Sequence, residues 1–177
     1  VPPEKLNTTK DFLASWLAAQ NQGNFAAYAA LYAPGFAGTK RVGKVQKTFD
    51  RQGWLQDRKS MFRAPMAVEA SELAVTGAPP IITLELTQRW EQGTFADIGT
   101  KRLVIDVYRS ADPILREEML SSRKALARQA CLLALYPDAR GGRIGADKAA
   151  AKVSSIEPFE LGNDGAACRI DVREPDE

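Results

Sequence analysis

The chain has 177 residues, 45% hydrophobic and 26% charged, with a formal net charge of +2 and no histidine. Such a chain is expected to form one globular domain, with room for an appended subdomain. The small net charge gives no reason to expect nucleic acid, and no run approaches the roughly 18 apolar residues of a membrane span. Without histidine, Ser-His-Asp and Cys-His catalysis are excluded within this chain, and the commonest neutral metal ligand is missing.

Val1-Pro2-Pro3 reads as a mature start after a removed signal, or as a linker after another domain. Thr8 is placed to cap a first helix, with Asp11 three residues on. Phe12, Leu13, Trp16 and Leu17 then mark one face, and Gly23 stops the helix. Asn24 caps a second helix with Phe25, Tyr28, Leu31 and Tyr32 on its apolar face, ended by Pro34-Gly35. Residues 37–48 are basic and read as a solvated loop, since no Gly-Lys-Ser/Thr phosphate signature is present. Asp50 caps a third helix, with Phe49 and Trp54 in hydrophobic-staple positions and Leu55, Arg58, Met61 and Phe62 continuing it to Pro65.

Strands follow. Residues 68–75 form the first, with an irregularity near Ala70. After the Gly77-Ala78-Pro79-Pro80 turn comes a strand over 82–90. It places Ile82, Leu84, Leu86, Gln88 and Trp90 on one face and Thr83, Glu85, Thr87 and Arg89 on the other. The next strand, 101–109, opposes Leu103, Ile105 and Val107 to Arg102, Asp106 and Tyr108, and Gly93 and Gly99 bracket the turn between the two. A fourth strand covers 114–120, and short connections predict antiparallel neighbours. Residues 122–135 read as a helix with a continued strand as rival, 147–153 as a short helix, and 155–161 with 166–172 as a hairpin. The glycine-rich 141–145 matches no nucleotide-binding motif. Cys131 and Cys168 have no CxxC spacing, so zinc is not expected; a disulfide and two buried thiols both stay open.

Phe12-Leu13-Ala14-Ser15-Trp16, Asn24-Phe25 through Tyr28, Leu31-Tyr32-Ala33-Pro34, Phe36, Gln88-Arg89-Trp90 and Lys101-Arg102-Leu103 carry a resemblance. Together with the order of elements, they resemble the nuclear transport factor two-like superfamily. This is the cystatin-like cone that includes ketosteroid isomerase, polyketide cyclases and dehydratases. The chain is most similar to small bacterial domains that accompany cell-wall L,D-transpeptidases and other envelope proteins. The resemblance spans roughly residues 6–120. Pro113 stands where such sequences often have Trp, and nothing after Ser121 has a counterpart.

The resemblance implies an α+β fold: three N-terminal helices packed on a curved antiparallel sheet as a cone with a pocket, plus a C-terminal helix and β-hairpin extension. The expected division is 1–120 and 121–177. The implied ligand-pocket residues are Trp16, Tyr28, Tyr32, Trp54, Leu86, Gln88, Trp90 and Glu117. Gln88 is the informative polar residue, because burying it without a partner costs about 1–3 kcal/mol. It either bonds a backbone or helix group or contacts a ligand.

Enzymes of this kind need a pocket carboxylate as proton shuttle. Asp50 is accounted for as a cap and Asp97 as a turn residue, Asp106 and Glu85 fall on the outer face by alternation, and Glu117 lies in a strand whose facing the sequence does not fix. No pair of carboxylates converges. The expectation is therefore a non-catalytic binding or assembly module with a small apolar ligand and no cofactor or metal. It would be periplasmic or secreted, with a cytoplasmic location left open. It would form a homodimer through the outer sheet face or join another envelope protein. The alternative is an isomerase, cyclase or dehydratase of the ketosteroid isomerase-like type.

Overall fold

Helix α1 (Pro3–Asn21) and the short α2 (Phe25–Ala30) lead into a hairpin, β1 (Tyr32–Val42) and β2 (Val45–Asp50). Helix α3 (Arg51–Lys59) and a 3₁₀ turn (Ser60–Arg63) precede three long strands and one short one: β3 (Ala67–Ala78), β4 (Ile81–Gln92), β5 (Phe95–Asp106) and β6 (Ile114–Met119). Then come β7 (Arg123–Leu126), α4 (Arg128–Leu135), β8 (Ser155–Leu161) and β9 (Gly165–Asp171). This computed structural model describes residues 3–42, 44–135, 155–161 and 165–171. The expected helix at 147–153, the glycine-rich 141–145 and the C-terminal tail lie outside the described residues.

The main sheet runs β2-β1-β6-β5-β4-β3, with β7 beside β5, and β8 and β9 form a separate hairpin. The expected all-antiparallel sheet is instead mixed. β1 lies parallel to β6, with Gly38 opposite Glu117, while β5 and β6 are antiparallel, with Leu103 opposite Glu117. The chain divides into two compact units, residues 1–90 with 98–123, and residues 91–97 with 124–177.

In the first unit the local signals act much as the sequence predicts. Asn24 accepts from the Ala27 amide at 3.0 Å, and Asp50 accepts from the Gly53 amide at 2.7 Å, each satisfying a helix-start donor. The Phe49 and Trp54 rings pack edge-on at 5.8 Å, closing the staple. Asn21 pins the end of α1 to β3 by giving Val68 O a hydrogen bond at 3.0 Å and accepting one from Val68 N at 2.7 Å.

Several boundaries differ. Thr8 lies inside α1 rather than capping it. Helix α2 ends at Ala30, and Pro34-Gly35 sit where the β1–β6 register shifts. A bulge is where a strand tolerates proline, which has no ladder N–H to give. The basic segment 37–48 is not a loop but the β1–β2 hairpin. It is polar or exposed on both faces, so it shows no apolar alternation to read. Glu72, at φ 52, marks the β3 irregularity, two residues beyond Ala70. The β4–β5 turn is made at Gly93 (φ 59) alone, and Gly99 is a β5 residue. A Cβ at Gly99 would strike the Ser121 carbonyl, so closeness of two backbones and not a turn demands this glycine.

In the second unit, the helix expected over 122–135 begins only after strand β7. Its start is organised from far away in sequence. Glu91 Oε2 accepts from the Arg128 amide at 3.1 Å, and Glu91 Oε1 accepts from Arg128 Nη1 at 3.0 Å. A carboxylate at a helix N-terminus also suits the helix dipole. Cys131, fully buried on α4, is disulfide-bonded; the only other cysteine of the sequence is Cys168.

Candidate functional site

The inner side of the first unit collects apolar residues from every layer: Trp16 from α1, Tyr28 from α2, Tyr32 and Phe36 from β1, Trp54 from α3, and Leu84, Leu86, Leu103, Ile105 and Ile114 from the sheet. Their burial supplies the main stabilisation, about 1.5–3 kcal/mol per large side chain. Aromatic rings run through it in series. Tyr28–Tyr32 centroids are 4.8 Å apart, Tyr32–Phe36 5.0 Å and Phe36–Trp54 5.6 Å. Gly38 lets α3 come close, because a Cβ there would run into the Trp54 ring.

A polar chain crosses this apolar interior. Trp16 Nε1 donates to the Tyr32 hydroxyl at 3.3 Å, and that hydroxyl donates to Glu117 Oε2 at 2.6 Å. The other oxygen, Glu117 Oε1, accepts from Lys101 Nζ at 2.5 Å, and Nζ sits 5.2 Å from the centre of the Trp16 ring. Glu117 is 0% exposed and Lys101 3%. A buried carboxylate is tolerable only with such pairing. Burial, and next the charge of Glu117, push the Tyr32 phenol well above its ordinary range. The same two causes raise the Tyr28 phenol, with the nearby Arg58 cation opposing.

A second cluster lies on α3. The Arg58 guanidinium stacks on Trp54 at 4.2 Å from the ring centre and is 6% exposed. Its Nη1 donates to Met61 Sδ at 3.5 Å, a weak acceptor. Its Nε lies 3.8 Å from Asp57 Oδ2, too far for a hydrogen bond, and Asp57 also pairs with Lys40 at 3.2 Å. Among the described residues, four buried polar atoms have no hydrogen-bond partner: Trp54 Nε1, Arg58 Nε, Arg58 Nη2 and Gln88 Oε1.

No protein-family model matches the sequence, and no curated protein matches it. Solved structures do. An NTF2-like protein of unknown function from Pseudomonas putida KT2440 is 12% identical with a TM-score of 0.53, over 63% of this chain and 82% of that one. A candidate dehydratase of the NTF2-like family from Streptomyces avermitilis is 10% identical with a TM-score of 0.54, over 72% of this chain and all of the other. Bd1075 from Bdellovibrio bacteriovorus is 20% identical with a TM-score of 0.52, over 70% of this chain. This chain spans only 41% of the length of Bd1075. The chain has the NTF2-like fold.

Within the first unit, seven of the eight residues expected at the pocket are buried: Trp16, Tyr28, Tyr32, Trp54, Leu86, Gln88 and Glu117. Trp90 stands apart. It is half-buried, lies outside the core cluster and donates to Met66 Sδ at 3.3 Å. Two open clefts of the first unit lie elsewhere. One of about 400 Å³ is bordered by Phe12, Ser15, Leu31, Val107 and Tyr108, and one of about 430 Å³ by Glu72, Thr87, Thr100, Ser121 and Arg123. None of the eight residues lines either cleft. Among the described residues no three His, Cys, Asp or Glu side chains gather as metal ligands, and no helix is long and apolar enough to cross a membrane.

Two residues of the site carry weight that the sequence reading did not give them. Lys101 shares the alternation of Leu103 and Ile105, which already places it inside. Arg58 follows Trp54 by one helical turn and therefore shares its buried face.

Proposed function

We propose that this chain is a non-catalytic binding module of an exported bacterial envelope protein, of the kind that accompanies cell-wall enzymes such as L,D-transpeptidases. It holds a small, largely apolar ligand between the helices and the sheet. The state of Glu117 carries this reading. Both of its oxygens are engaged, one by Lys101 and one by Tyr32. A proton shuttle needs an oxygen that can reach substrate, whereas the polar atoms with hydrogen-bonding capacity to offer are those of Trp54, Arg58 and Gln88. The NTF2-like fold, with its helices over one face of a sheet, supports a pocket in that place. The bonded Cys131 supports a periplasmic or secreted location, because such bonds persist in oxidising compartments.

Self-association through the outer sheet face is a further part of this reading. That face bears cross-strand ion pairs of Arg102 with Glu85 at 3.0 Å and with Glu118 at 3.4 Å. Half-exposed pairs of this kind contribute little to stability but fix side chains in place for a partner surface. Light scattering during size exclusion measures this directly: a dimer mass is expected, and a clean monomer would remove it.

The second reading is an isomerase or dehydratase with Glu117 as base, favoured by the complete burial of that carboxylate inside the fold. The two separate by proton exchange. The protein is incubated in deuterated water with a panel of enolisable ketones, and deuterium incorporation is followed by NMR. The binding module gives no exchange above the buffer rate. Exchange that is catalysed by the wild type and lost in Glu117→Gln would establish the enzyme.

A further inference from the structure

Arg58 is the group in this interior whose chemistry is least complete. Its unpartnered atoms are not scattered: Nε and Nη2 form one edge of the guanidinium, with two parallel N–H bonds. That edge matches the two oxygens of a carboxylate. The chain uses the same edge elsewhere. Nε and Nη2 of Arg102 both donate to Glu85 Oε2, at 3.3 and 3.0 Å, and Nε and Nη2 of Arg109 both donate to Asp112 Oδ1, at 2.8 and 2.5 Å. Those two arginines are part-exposed, and each meets its carboxylate within the chain. Arg58 is 6% exposed, and its nearest carboxylate, Asp57, stays 3.8 Å from Nε.

The surroundings point the same way. Trp54 Nε1, a donor only, is buried without a partner beside the same guanidinium. Burial and the stacking on Trp54 set the cation against the aromatic interior rather than against solvent. Among the described residues, the Met61 sulfur on Nη1 is the acceptor within hydrogen-bond geometry of this cluster, and the Tyr28 phenol lies near Trp54 Nε1. Met61 and Phe62, both half-buried, stand over the cluster from the 3₁₀ turn, with the Phe62 ring 5.1 Å from that of Tyr28.

We infer that the pocket takes an organic carboxylate with an apolar body, its two oxygens held by the Nε–Nη2 edge of Arg58 beside the Trp54 ring. The apolar body then lies against the Tyr28 and Phe62 rings. This assignment rests on the binding-module reading above and narrows it to one ligand class. It also gives Arg58 a reason to be buried: a cation taken out of water is disfavoured until an anion joins it.

The test is calorimetric titration of the full chain with hexanoate and benzoate, each against its alcohol, hexan-1-ol and benzyl alcohol. The acids are expected to bind at least tenfold more tightly than the alcohols. In Arg58→Met that preference disappears, while the unliganded protein melts no lower than wild type because a buried charge has been removed. Arg58→Lys keeps the charge but lacks the fork, and is expected to lose most of the preference, which covers the case in which the Met variant does not fold. Alcohols binding as tightly as the acids would overturn the carboxylate assignment and leave the pocket standing. An acid preference that survives in both variants would overturn the role of Arg58. No binding by any of the four probes would overturn the pocket reading itself.

Discussion

Lys101 and Glu117 face each other diagonally across β5 and β6, one step off the Leu103–Glu117 pair, with Nζ 2.5 Å from Oε1. Diagonal neighbours on one sheet face are within reach of long side chains. Here both ends are sealed from water, so each ion depends on the other. Lys101→Met is expected to destabilise the fold by about 3–5 kcal/mol, because it leaves a buried carboxylate with only the Tyr32 hydroxyl. Adding Glu117→Leu recovers much of the loss and leaves about 1–3 kcal/mol for the Tyr32 O–H, which keeps Trp16 Nε1 as a donor but loses its acceptor. Denaturant unfolding of the single and double variants measures the coupling. Additive losses would show that the pair is not a unit.

Tyr28 and Tyr32 have phenols raised above the ordinary value of 10.0 by burial and by the charge of Glu117. A raised folded value means that the neutral form is favoured in the fold. The contribution is complete below the unfolded value of 10.0 and is lost as pH climbs above it. Near neutral pH these two groups therefore give a flat profile. Above pH of about 10, stability should fall by about 1.4 kcal/mol per pH unit for each of the two tyrosines. Tyrosinate absorbance checks this: Tyr28 and Tyr32 should ionise only together with unfolding. Their reversible ionisation in the folded protein would contradict their sealed positions.

Gly38 and Gly35 lie in the same strand and make opposite predictions. A Cβ at Gly38 enters the space of the Trp54 ring, while one at Gly35 meets nothing within 4 Å. Gly38→Ala should lower stability by about 1–3 kcal/mol, the usual effect of overpacking a tight site. Gly35→Ala should leave it unchanged or slightly higher. Thermal unfolding of the two variants decides whether α3 is held as closely to β1 as described.

The bonded Cys131 ties α4 within the second unit. Reduction, or Cys131→Ser, is expected to cost about 2–5 kcal/mol of that unit's stability. Alkylation of the denatured, unreduced protein followed by mass measurement should find no modified cysteine. Two added labels before reduction would contradict the bond.

Much of the first unit was legible where the signal is local. Asn24 and Asp50 cap as their side-chain chemistry dictates. Phe49 and Trp54 staple as their spacing dictates. The alternation of Ile82, Leu84, Leu86 and Gln88 is the buried face of β4. What stayed hidden depended on distant partners. β1 and β2 have little apolar alternation, because their ladder and the pairing of β1 with β6 hold them. The start of α4 is set by Glu91, 37 residues away. The Lys101–Glu117 pair is not legible, because its two members stand 16 residues apart and meet only across the β5–β6 ladder. The site was half legible for the same reason. Aromatic and apolar members follow periodicity, but a buried arginine breaks the pattern that would have marked it.

The three indole N–H groups offer the most direct view of the central claim. Trp16 Nε1 is held by Tyr32, and Trp90 Nε1 by Met66, while Trp54 Nε1 has no partner and lies beside Arg58. In an ¹⁵N–¹H spectrum titrated with benzoate, the Trp54 indole signal should move progressively and saturate. The Trp16 and Trp90 signals should stay close to their starting positions. A Trp54 signal that does not move, or a response confined to Trp16 or Trp90, would contradict a ligand site built on α3.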